Sequence, residues 1–86
     1  MGKAFIIKVD GTEQELDHRP TLKEAQEIVG GYIELLPLRK TKLTLVLNEE
    51  GKLRGLPMND RASTIFKPWE LVGNIIVLEG WKTVGD

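Results

Sequence analysis

"FIIKVDGTEQEL", residues 5–16, decides how the sheet of this chain is laid out. Two short runs flank Asp10-Gly11, a pair favoured at the centre of a two-residue type I′ turn, where both central residues need positive φ. That reading gives a β-hairpin in which Phe5 faces Leu16, Val9 faces Thr12, and Lys8 lies across from Glu13 as an ion pair. One face is then apolar and the other wet. Ile6 breaks the alternation on the wet side and reads either as a residue touching a second surface or a partner or, more commonly, as a lone exposed apolar residue.

Working outward, "DHRPTLKEAQEIVGG" carries a helix with both ends marked. Thr21 and Glu24 have capping-box spacing, Gly30 supplies a left-handed stop, and Leu22, Ala25, Ile28 and Val29 form one apolar stripe. "YIELLPL" and "KLTLVLN" read as strands, with Pro37 ending or edging the first and "RKT" connecting them. "NEEGK" suits a turn with Gly51 in the left-handed position, so "KLRGL" is the return arm of a second hairpin. A helical turn is expected from Arg61 to Phe66, capped by Asn59 or Asp60, and "GNIIVLEG" is a buried strand. These elements predict one domain, residues 1–86, of α+β class: a mostly antiparallel sheet of five to six strands with one main helix on one face.

Composition limits the chemistry. The 86 residues are 41% hydrophobic and 29% charged, with one histidine and no cysteine. No disulfide framework, thiolate nucleophile or Cys-based zinc site can form, and constellations needing two imidazoles are excluded within one chain. His18, in "LDHRPT", reads as a surface residue ahead of the helix. "GKLRG" lacks phosphate-loop spacing. The reading is therefore non-enzymatic, with no cofactor, no catalytic residue and no metal ligand. The opening residues are too soon interrupted by Lys8 and Asp10 for a secretory signal, no apolar run suits a bilayer, and the absence of cysteine fits a reducing, cytoplasmic setting.

Net charge is −1, but residues 37–67 hold seven basic and three acidic groups. If the second hairpin forms, Arg39, Lys40, Lys42, Lys52 and Arg54 make a basic strip suited to an anion, a nucleotide or nucleic acid. "LRGLPMNDRAS" adds a polar loop presenting Arg54, Asn59, Asp60 and Arg61. Trp69 and Trp81 flank the last strand, one expected to plug the core and the other, Trp81, offering an interface anchor. An unpaired strand edge gives a third surface, suited to a homodimer.

"VGGYIELLPL", "NEEGKLRGLPMN" ahead of "RAS", and "LVGNIIVLEG" occur in that order between residues 29 and 80. In these stretches the chain resembles an uncharacterised family of small proteins encoded by bacteriophages, plasmids and related mobile elements. The resemblance implies an accessory, host-facing role and supplies no reaction. The combined expectation is a binding protein that modulates a host macromolecule, a host protein first, in a defence or gene-expression system. A nucleic-acid or nucleotide module is the alternative.

Overall fold

The computed structural model describes residues 3–79. Its strands are β1 (Ala4–Ile7), β2 (Glu13–Leu16), β3 (Ile33–Leu38), β4 (Leu43–Asn48) and β5 (Ile75–Glu79), with helices α1 (Leu22–Val29) and α2 (Asp60–Ile65). They form one five-stranded sheet in the order β2-β1-β5-β4-β3, every neighbouring pair antiparallel. The α+β expectation holds. β5, the last strand in chain order, sits in the middle and joins the β1–β2 hairpin to the β3–β4 hairpin.

The first hairpin closes differently from the expected type I′ turn. Lys8 N–H donates to the Thr12 carbonyl at 2.9 Å and Gly11 N–H to the Lys8 carbonyl at 2.9 Å. The loop is therefore three residues, Val9, Asp10 and Gly11, with Gly11 at φ 91° and Asp10 outside the left-handed region. This is the type I turn with a glycine bulge. The Asp10 carboxylate accepts from Thr12 N–H at 2.9 Å and Thr12 Oγ1 at 2.6 Å, a local closure that needs no positive φ at Asp10. The pairing shifts by one residue: Ala4 faces Leu16, Phe5 faces Glu15, Ile6 faces Gln14 and Ile7 faces Glu13. The pairs Phe5–Leu16 and Lys8–Glu13 are not made. Ile6 is 5% exposed and lies across from Ile76. Because α1 covers one face of the sheet and α2 with Leu71 the other, both faces of β1 are dry, and alternation between dry and wet does not apply.

On one face α1 packs Ala25 and Val29 against Ala4, Val46, Ile76 and Leu78. The helix is built as its caps predict: Thr21 Oγ1 accepts from Glu24 N–H at 3.1 Å, the Glu24 carboxylate accepts from Thr21 N–H at 2.8 Å, and Gly30 ends it in the left-handed conformation. The opposite face is also dry. There Ile7, Leu45, Ile75 and Val77 pack under Ala62 of α2 and Leu71.

The second expected hairpin is absent. β4 pairs with β3 through the 39–42 turn, in which Lys42 has φ 56°, and its other side is taken by β5. "KLRGL" becomes consecutive turns, since the apolar run of β5 buries far more surface beside β4 than an arm interrupted by Gly55 and Pro57. Gly51 is not left-handed; the positive φ of this segment belongs to Gly55, at 69°. What Gly51 provides is space: a Cβ there would meet Val72 Cγ2 at 2.8 Å. Pro37 lies within β3, which is an edge strand, as a residue without an N–H requires.

Candidate functional site

The structure does not bring the basic residues of the sequence reading together. Arg39, Lys40 and Lys42 belong to the turn entering β4, whereas Lys52 and Arg54 follow its far end. A six-residue strand separates them by about 20 Å. Arg54 is engaged locally: its Nη1 donates to the Gly30 carbonyl at 3.2 Å while Asn48 Nδ2 donates to the Val29 carbonyl at 3.1 Å. Together they satisfy backbone acceptors left open at the end of α1. Arg61 on α2 pairs through Nε with Glu13 on β2. Asp60 is exposed as the first residue of α2, and Trp81 lies outside the described residues.

Asn59 is not a surface residue but a fully buried joint. Its Nδ2 donates to the carbonyls of Ile7 and Gly73, both at 2.9 Å, and its Oδ1 accepts from Ala62 N–H at 3.0 Å as the cap of α2. Its own N–H reaches the Leu71 carbonyl at 2.8 Å, and Gly73 N–H reaches the Pro57 carbonyl at 2.8 Å. Much of "VGGYIELLPL", "NEEGKLRGLPMN" and "LVGN" therefore does structural work, closing α1 and fastening the 56–74 connection to β1 and β5.

A different region carries the features of a binding surface. On the α2 side of the sheet the cover stops short of β3, leaving a cleft of about 270 Å³. Leu36, Leu47 and Leu71 contribute apolar lining, and Glu34, Glu49, Glu50 and Glu70 surround it with only Lys52 of opposite sign. A second cleft of about 370 Å³ is lined by Pro37, Leu38, Arg39, Lys40, Ile65, Phe66 and Lys67. Trp69 lines both and is 46% exposed. Exposed Leu53 belongs to the acidic cleft and exposed Ile65 to the basic one. Of the residues proposed from sequence, Arg39, Lys40 and Lys52 reach these clefts. Glu34, Glu70, Leu53 and Trp69 were not among them. The alternation of "IELLPL" puts Glu34 and Leu36 on one face, but their neighbours come from segments far away in sequence.

His18 has a defined local role. Its Nδ1 lies 2.6 Å from Asp17 Oδ1 and its Nε2 lies 3.1 Å from Glu24 Oε1. Satisfying both carboxylates requires a proton on each nitrogen, hence an imidazolium. The hydrogen bond to Asp17, then that to Glu24, raises the His18 pKa above its ordinary 6.5. The Thr21 N–H, then His18, lowers that of Glu24 below its ordinary 4.5. The His18 contribution is complete below 6.5 and fades as pH rises through its folded value, and that of Glu24 is present above 4.5 and fades as pH falls through its folded value. An NMR titration of the imidazole should place His18 above 6.5, and Glu24→Gln should bring it down toward that figure. A wild-type midpoint at or below 6.5 would contradict the double bridge.

Among the described residues no cluster of acidic and histidine side chains has the arrangement of a metal site, and no helix is long and apolar enough to cross a membrane. Comparison with curated proteins and with solved structures yields no match. A family model does match, over residues 2–85, nearly the whole chain including every joint described above. The chain belongs to the family described as domain of unknown function DUF3846.

Proposed function

We propose that this domain is a non-enzymatic accessory protein of a bacteriophage or mobile element that binds and modulates a host protein. The observation that carries this reading is the half-exposed Trp69 beside an apolar cleft surrounded by four carboxylates. Tryptophan on a rigid, partly desolvated surface is a recurrent anchor of protein interfaces, and the charge selects a partner segment bearing lysine or arginine next to an apolar side chain. The host-facing context rests on the resemblance of "VGGYIELLPL", "NEEGKLRGLPMN" and "LVGNIIVLEG" to phage and plasmid proteins. In the cytoplasm of a bacterial host, a defence or gene-expression component is the class of target this role serves.

The test is affinity capture from bacterial lysate with the wild-type chain and with the triple variant Trp69→Ala, Glu49→Lys, Glu50→Lys. A protein retained by the wild type and lost by the variant, whose purified form binds more weakly as salt rises, is the expected result. Equal retention by both chains would overturn the assignment of this surface. Recovery of nucleic acid instead, through Arg39, Lys40 and Lys67 with Trp69 as a stacking platform, would replace the host-protein reading with the alternative.

A further inference from the structure

The two clefts have opposite sign and share one aromatic residue. Glu34 and Leu36 line the acidic cleft, and Pro37, Leu38 and the 39–42 turn line the basic one, so the two follow each other along β3 with Trp69 at their common boundary. The acidic cleft has four carboxylates against one ammonium, and the basic cleft has Arg39, Lys40 and Lys67. A surface that changes sign across a central apolar anchor is complementary to itself when rotated by half a turn.

We infer that a second copy of this chain docks here, in a two-fold dimer that sets Trp69 near the axis and places the 39–42 turn of each copy against the acidic cleft of the other. Such an interface is isologous, so each contact occurs twice and every favourable charge pairing is doubled. Exposed Leu53 and Ile65 lie at the two ends of the same surface, one in each cleft, and the dimer takes both from water. The inference rests on the reading of the Trp69 surface as an interface and adds its regulation: the self-associated form covers the cleft offered to a host protein, so partner binding and dimerisation compete.

Sedimentation equilibrium of the full chain tests it, with two variants of opposite charge. Glu49→Lys/Glu50→Lys makes both clefts basic, and Arg39→Glu/Lys40→Glu makes the second cleft acidic like the first. Each alone should raise the dimer dissociation constant by roughly tenfold or more. Mixed one to one they should associate again, because opposite signs then face each other at both ends. Unchanged circular dichroism and thermal unfolding would show that the variants are folded, the substituted side chains being exposed. A wild-type chain that stays monomeric at millimolar concentration, a dimer indifferent to either reversal, or a mixture that fails to reassociate would each overturn the dimer. The host-protein reading survives the first of these results if the capture experiment still separates wild type from the triple variant.

Discussion

Replacing Asn59 by alanine should lower the free energy of unfolding by about 3–5 kcal/mol, most of what a domain of this size has to lose. Three hydrogen bonds disappear at a fully buried position. Loss of the cap on α2 accounts for about 1 kcal/mol, and loss of each buried hydrogen bond, to the carbonyls of Ile7 and Gly73, together with the void left by the amide, for about 1–2 kcal/mol. Urea unfolding followed by circular dichroism measures the difference. A polar surface loop, which is how this residue reads in the sequence, would give a change within about 0.5 kcal/mol. Asn59→Asp separates the two roles of the side chain. The carboxylate keeps the oxygen that caps α2 but points a second acceptor at two carbonyls. Burial and those carbonyls then raise its folded pKa above the unfolded value, so the variant should gain stability as pH falls toward and below that raised value.

Ile6→Ala should remove about 2–4 kcal/mol, the usual range for emptying a well-packed aliphatic site. The side chain is 5% exposed, opposite Ile76, which is fully buried. The result decides whether Ile6 belongs to the core or to a wet face. On a wet face its loss would be worth about 0.5 kcal/mol or less. Paired with β5 beneath the covered sheet, it belongs to the core. The same equilibrium measurement, compared at matched denaturant slopes, distinguishes them.

Legibility in the sequence followed the range of the interactions. α1 was legible to its caps because Thr21, Glu24 and Gly30 act within one or two turns of each other. α2 was legible as a helical turn, with its cap left between Asn59 and Asp60; the structure gives the role to Asn59. The register of the first hairpin was not, since Asp10-Gly11 suits both a two-residue and a three-residue loop. What selects between them comes from the other end of the chain: Asn74 Oδ1 accepts Val9 N–H at 3.1 Å, and β5 covers the open side of β1. The second hairpin failed for the same reason, because "KLRGL" was weighed as a neighbour for β4 without its competitor. The acidic Trp69 cleft draws on β3, residues 47–53 and residues 69–72, three segments with no common local pattern. Of the basic residues, the sequence marked the charge but not its direction. Arg54 and Arg61 are spent on fastening elements of the domain itself, while Arg39 and Lys40 line the basic cleft.

The placement of β5 bears on the order in which this protein can assemble. Two hairpins precede it in the chain, yet neither touches the other through a strand pair until β5 enters between them. On a ribosome both would wait, each a two-stranded ribbon of marginal stability with open edges on its inner side. Because β5 packs against both faces' cores, its arrival closes the sheet and both layers at once. Folding of this chain is thus expected to be a late, single, strongly cooperative event governed by long-range contacts, and a chain stopped before residue 75 should expose two sticky half-sheets to the cell rather than a smaller folded domain.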